Sequence, residues 1–284
     1  MISTEKIKKL KLTANKIRQS IIEMLVEAGS GHSAGPLGMA DIFTALYFEI
    51  LKHDPKNPAW PDRDKLVLSN GHICPVLYAT MAHAGYFPIE ELKTLRKFKS
   101  RLQGHPHRDF LPMVETSSGP LGSGLSQAAG MALADRLDKK NRRIFCLMSD
   151  GEIDCGQNWE AIMFCAKEKL ASITAVIDRN NIQLSGVTEE IMPLEPLSKK
   201  IESFGWNVVD INGHDFSEII DGLRKPGFDP KKPTMIIAHT IPGKGVSFME
   251  GKYQWHGIPP NKEQAAVALG ELKEEAGKIL ADKI

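Results

Sequence analysis

Two apolar runs and the segment between them constrain this chain most. Arg143–Ser149 (RIFCLMS) and Ser172–Ile177 (SITAVI) read as strands buried on both faces, and Gln157–Lys167 between them carries a helical pattern. Strand, helix, strand in that order makes a parallel pair joined by one crossover. The alternation continues on either side. Lys65–Ser69 reads as a short buried strand, and Trp206–Ile211 and Thr234–His239 are apolar runs separated by a helix beginning near Asp215. The expected fold class is α/β, a parallel sheet with helices on both faces, in a single domain over residues 1–284.

Helices are expected where apolar residues recur at helical spacing. In Leu10–Ala28 these are Leu10, Ala14, Ile17, Ile21 and Leu25, and Gly29 follows as a C-cap. Met39–Leu51, Val76–Ala84, Glu90–Phe98, Leu125–Leu137 and the closing amphipathic segment Glu263–Ile279 read the same way. Loops are expected at Gly29–Pro36, at His53–Asp64 with its three prolines, and over Arg101–Gly124.

Composition excludes several classes. Apolar residues at 42% can fill a large core, and charged residues at 25% fit a globular protein rather than a disordered or membrane-embedded one. The longest apolar run, Ala40–Leu51, is broken by Asp41 and Glu49, so no bilayer span is expected. Met1–Lys11 is polar and lysine-rich, and no signal peptide is expected. A net charge of +1 argues against nucleic acid as a partner, despite the local pair Lys231-Lys232. Cys74, Cys146, Cys155 and Cys165 form no C-x-x-C pair, which suits reduced thiols in a cytoplasmic protein, with Cys146 and Cys165 in the core.

The chemistry gathers at strand ends. Asp150 in Ser149-Asp150-Gly151-Glu152 lies just past one strand, and Asn180 in Asn180-Asn181-Ile182 just past the next. One crossover places both on the same sheet edge, where α/β folds bind ligands. The Asp150 carboxylate, the Asn180 amide oxygen and the backbone carbonyl near Ile182 are three hard oxygens, suited to Mg²⁺ with room left for diphosphate oxygens and water. Gly151 would let a phosphate approach the backbone, with the next helix aiming its amino end at that charge. Taken singly, an Asp-Gly after a strand is ordinarily a turn and an Asn-Asn pair ordinarily a loop. The spacing and the paired strand ends favour the metal site.

Ser118–Gly124 (SGPLGSG) opens a helix and could cradle a phosphate, though a plain turn has the same pattern. Four histidines sit beside glycines in loops: His32 in GSGHS, His72 in SNGHI, His105 in QGHPH and His256 in WHGIPP. Such rings can hydrogen-bond a polyhydroxylated substrate and move protons near neutral pH. One loop histidine is commonly just solvated; four with adjacent glycines are harder to dismiss. His53, His83, His107, His214 and His239 lack this setting and read as structural.

The strings GSGHSAGPLGMADI, LSNGHICPVLYA, LQGHP, SSGPLGSGLSQAAGMALA, SDGE…NN and WHGIPP follow one another in this sequence. In that order, over residues 10 to 260, they resemble the diphosphate-binding domain of transketolases. The resemblance implies a Rossmann-like, thiamine-diphosphate-binding fold. It implies that Asp150, Asn180 and the Ile182 carbonyl hold a divalent cation, Mg²⁺ or Ca²⁺ or Mn²⁺ in its place. His72, Gly119, Pro120, Leu121, Gly151, Asn180 and His256 would contact thiamine diphosphate. His32, His105 and His256 would face a sugar-phosphate substrate, with His32 and His256 serving proton transfer. The implied activity moves a two-carbon ketol unit from a ketose to an aldose.

Three positions depart from the family pattern. Ser149 stands where glycine is usual. Cys155 stands where many members carry a glutamate that couples two active sites, and a thiol cannot supply that carboxylate. Pro242 in IPGKGV stands where some relatives carry a lysine, a role Lys244 could take. Members also carry a second α/β domain with the glutamate that activates the cofactor and the arginines that grip the sugar phosphate. With the sequence ending at Ile284, the expectation is a companion subunit bearing that pyrimidine-binding domain, in an α2β2 heterotetramer. The alternatives are a split enzyme on the same scaffold that uses an unusual ketose or makes an acyloin, and a non-catalytic scaffold. A dinucleotide oxidoreductase lacks its G-x-G-x-x-G after the first strand.

Overall fold

The computed structural model describes residues 2–224 and 229–281. Helix α1 (Thr4–Ala28) starts earlier than its apolar periodicity does, because Ser3 caps it by accepting from the Lys6 N–H. It ends at Gly29, whose φ of 62° is the left-handed conformation expected of a C-cap. Helix α2 (Ala34–Ala45) begins inside the stretch expected to be loop and finishes in a π-helical turn, Leu46–Ile50. Pro36 falls in its first turn, where no donor is needed. Every α2 residue is buried, so packing rather than propensity holds this glycine-containing helix together.

Strand β1 (Lys65–Leu68) leads through a 3₁₀ turn into α3 (Cys74–His83). The helix expected over Glu90–Phe98 is only a 3₁₀ segment, Ile89–Thr94, and Arg96 and Lys99 beyond it have φ of 59° and 63°, which no helix accommodates. After the expected long loop come α4 (Gly124–Leu137), β2 (Ile144–Ser149), α5 (Gly156–Lys167) and β3 (Ile173–Arg179). A small hairpin, β4 (Ile182–Gln183) and β5 (Gly186–Val187), and two short helices, α6 (Thr188–Ile191) and α7 (Leu197–Ser203), had no counterpart in the sequence expectations. Then β6 (Asn207–Asn212), α8 (Phe216–Arg224), β7 (Thr234–His239) and α9 (Lys262–Leu280) complete the described chain.

The five main strands form one parallel sheet in the order β1-β2-β3-β7-β6. Alternate residues of β2 and β3 enter two cores. Phe145, Leu147 and Val176 join α1, α2, α3 and α8 on one face, while Cys146, Met148, Ala175 and Ile177 join α4, α5 and α7 on the other. The α/β class with helices on both faces is therefore observed. Helix α9 opens on a capping box between Asn261 and Gln264, and Asn15 of α1 donates to the Leu272 carbonyl at 2.9 Å, tying α9 to α1. No helix among the described residues is long and apolar enough to cross a membrane.

Candidate active site

The parallel register brings the carboxyl ends of β1, β2 and β3 to one edge, where Ser69-Asn70, Ser149-Asp150 and Asn180 leave the sheet. Loops carrying His32, His105, Gly119 and His256 close over that edge around a cavity of about 330 Å³. All four glycine-flanked histidines line it, as do Gly119, Leu121, Gly151, Asn180 and Ile182. Pro120 is exposed and does not line it, and Asp150 sits wholly buried behind the wall.

His32, His72 and His256 form a triangle with ring centroids 4.8, 5.3 and 5.2 Å apart. Burial, then neighbouring imidazoles, pushes His72 down to about 3; burial, then His256 and Arg96, pushes His32 down to about 4. His105 is lowered by burial and by Arg96, and His256 by burial. The rings are therefore neutral at pH 7, and a neutral imidazole offers one donor and one acceptor nitrogen. Among the histidines expected to be structural, His214 bridges Asp41 and the Ile241 N–H, each at 2.8 Å, and His83 bonds Ser20 at 2.9 Å.

Asp150 is held from several sides. Its Oδ1 accepts from the Gly151 N–H at 2.7 Å, and its Oδ2 accepts from the Asn181 N–H at 2.7 Å, Arg179 at 3.0 Å and Thr188 at 3.3 Å. Burial raises its carboxyl, opposed by Arg179 and these amides. Asn180 accepts from the Ile182 N–H at 3.0 Å and donates to Asp178 at 2.8 Å. Asp178 is pushed up to about 7 by burial, against the hydrogen bond from Thr240.

Among the described residues no group of three or more His, Cys, Asp or Glu side chains could hold a metal ion. A cation here would draw on one carboxylate, one amide oxygen and a backbone carbonyl, hard donors that suit Mg²⁺. Asn70, wholly buried in the cavity wall, has neither amide atom hydrogen-bonded, and the buried His32 Nδ1 and Ser118 Oγ also lack partners. Buried polar atoms of this kind fit a site that takes a polar group.

Several local expectations change. The helix expected over Gln157–Lys167 is observed as Gly156–Lys167, and a 3₁₀ turn, Gly151–Asp154, separates its amino end from Asp150-Gly151. Gly151 also makes room for the Gln183 side chain, which an added Cβ would approach to 2.8 Å and displace. Lys244 pairs with Glu250 at 3.4 Å and lines a separate cavity of about 200 Å³ beside Arg18, Asp41 and His214. Cys155 is half-buried at the start of α5, with its thiol pushed up by burial. Sequence reasoning missed Asn70, Glu152 and Gln183 at the cavity, and Arg179 behind it. Asn70 and Glu152 stood within the strings SNGH and SDGE; Arg179 left no pattern to find.

The family described as "Transketolase, thiamine diphosphate binding domain" matches residues 9–277. The chain is 43% identical over 262 residues to the 6-deoxy-6-sulfo-D-fructose transketolase subunit of Clostridium sp. (strain MSTE9), covering 92% of this chain and 95% of that one. It is 40% identical over 270 residues to one subunit of the apulose-4-phosphate transketolase of Phocaeicola vulgatus, covering 95% and 96%. The crystal structure of transketolase from Campylobacter jejuni superposes with a TM-score of 0.85 at 34% identity, over 97% of this chain and 43% of that one. This chain belongs to the transketolase family and carries its thiamine diphosphate binding domain.

Proposed function

We propose that this chain is the N-terminal, cofactor-binding subunit of a two-chain transketolase that moves a two-carbon ketol unit from a ketose or its phosphate to an aldose or its phosphate. The observation that carries this reading is end-to-end correspondence. The chain spans 95% and 96% of two relatives that are themselves named as subunits. A companion subunit would bring the pyrimidine-binding domain and the groups that grip the sugar phosphate. Leu121 and Leu184 on the cavity wall and Ile258 near it are 38%, 71% and 54% exposed, an apolar rim that a docked companion would cover. Two copies of each chain would form an α2β2 heterotetramer with two-fold symmetry. Four free cysteines, three of them buried, accord with a cytoplasmic setting.

Thiamine diphosphate, when bound, supplies an electron sink for carbon–carbon cleavage beside a carbonyl. Asp150, Asn180 and the Ile182 carbonyl would hold Mg²⁺, or Ca²⁺ or Mn²⁺ in its place. His72, Gly119, Leu121, Gly151 and Asn180 would seat the diphosphate end, with His256 at its border. His32, His105 and His256 would meet the sugar hydroxyls, where a neutral ring can take a proton on one nitrogen or give one from the other.

A second reading concerns the donor. The two relatives are named for a sulfo-sugar and for apulose 4-phosphate, which favours an unusual ketose with an anionic tail. Ketol transfer is to be measured with the isolated chain, then with an equimolar mix including the chain encoded beside it, over sulfonated and phosphorylated donors. Activity is expected only in the mixture. Substantial turnover by the isolated chain would overturn the two-chain assignment.

A further inference from the structure

We infer that Glu152 is a positioning residue whose buried carboxylate clamps the glycine-rich loop to the ends of β1 and β2, setting the cavity wall that faces the cofactor. This rests on reading the cavity as the thiamine diphosphate site.

Glu152 is 1% exposed, and among the described residues no lysine or arginine pairs with it. A buried carboxylate without a counter-ion is costly unless hydrogen bonds satisfy it. Here they come from three chain segments. Oε1 accepts from the Gly122 N–H at 2.6 Å and from the Ser69 hydroxyl, and Oε2 accepts from the Ser149 N–H at 3.3 Å. Ser69 Oγ in turn accepts from the Gly124 N–H at 3.0 Å. One carboxylate therefore joins the residue after β1, the last residue of β2 and both ends of the turn 122–124.

The turn has little freedom of its own. Gly122 has φ of 87°, and an added Cβ would lie 2.8 Å from Cys155 and Gln157. At Gly124 an added Cβ would lie 2.8 Å from the Ser69 Cα. Gln157 donates to the Leu121 carbonyl at 2.9 Å, so the loop is pinned from the α5 side as well. Gly119 and Leu121 of the same loop line the cavity. Loss of the clamp should release those two residues before it disturbs the strands, which are held by their own ladder.

The test uses Glu152→Gln, which keeps the shape but sets an amide N–H₂ against a backbone donor, and Glu152→Ala, which removes the clamp. The full chain, joined by its companion if assembly needs one, is titrated with thiamine diphosphate at saturating Mg²⁺. Melting without cofactor and the KM for sugar at saturating cofactor are measured alongside. Hydrogen bonds to a charged group predict a dissociation constant raised about 10-fold in Glu152→Gln and about 100-fold in Glu152→Ala. The sugar KM is expected to hold. Ser69→Ala should shift cofactor affinity in the same direction by less, and it decides the matter with Glu152→Gln if the alanine variant fails to fold. Wild-type affinity in folded variants would overturn the clamp while leaving the cofactor site intact. Tighter binding by Glu152→Gln would also overturn it, because the carboxylate's charge would then oppose the diphosphate more than its hydrogen bonds help. Failure of the wild-type chain to bind cofactor would remove the site reading and the clamp together.

Discussion

Arg179 Nη1 lies 3.0 Å from Asp150 Oδ2, with the two side chains 3% and 0% exposed. Nη2 of the same guanidinium reaches Glu189 at 2.6 Å and Glu195 at 3.0 Å. One cation thus joins the end of β2 to the segment around α6 and α7. Removing one partner of a buried pair leaves the other charge uncompensated, at about 3–5 kcal/mol. Arg179→Met should therefore lower the unfolding free energy by that order, read as a lower urea midpoint, and Mg²⁺ with thiamine diphosphate should restore part of the loss. An unchanged midpoint would show that Asp150 does not depend on the guanidinium.

Asn180→Ala should abolish Mg²⁺-dependent cofactor binding while leaving a folded chain. The amide also donates to buried Asp178 at 2.8 Å, so a stability loss of about 1–3 kcal/mol is expected with it. Isothermal titration checks the first effect and thermal melting the second. Undiminished affinity would remove Asn180 from the metal site.

His32→Ala and His256→Ala should lower turnover while cofactor affinity stays nearly intact, because His32 is assigned to the sugar alone and His256 to the sugar with only a border contact to the cofactor. Loss of a placed proton donor or acceptor costs about 10²–10⁴-fold in rate. The assay is ketol transfer by the assembled enzyme. Full activity in both variants would make these rings bystanders.

Cofactor-free stability should depend on pH through His32 and His72. Both are depressed in the folded chain, to about 4 and about 3, while an unfolded histidine titrates near its ordinary value of 6.5. Below 6.5 the unfolded chain binds more protons than the folded one, so acid favours unfolding. Their contribution is complete above pH 6.5 and is lost as pH falls toward 4 and then 3. Denaturant unfolding at pH 7.5 and pH 5 should show a smaller drop in His32→Asn/His72→Asn than in the wild type. An equal drop would assign the acid sensitivity to other groups.

Much of the sheet was legible because a strand buried on both faces writes its own signature. Ile144–Ser149 and Ile173–Arg179 lie almost where the apolar runs placed them, and Thr234–His239 matches fully. The glycine-flanked histidines were legible for a related reason: each lies in a small-residue loop that follows or precedes a recognisable element. Three failures have separate causes. Helix α2 starts early because burial on all sides overrides the weak propensity of Gly35 and Gly38. The Glu90–Phe98 pattern yields only a 3₁₀ segment, because the chain turns through left-handed Arg96 and Lys99. Helices α6 and α7 are too short to show a period.

The sequence by itself determined the α/β class, the strand ends that carry Asp150 and Asn180, and the four histidines that line the cavity, because these depend on periodicity and spacing within short windows. Only the tertiary structure decided that Arg179 neutralises Asp150, that Glu152 clamps three segments, that Lys244 faces a separate cavity, and that Asp150 lies wholly buried behind the cavity wall. Those outcomes depend on which charges and amides meet across the fold once water is excluded. A buried carboxylate takes whatever donors the packing delivers, and no local pattern in the chain records them.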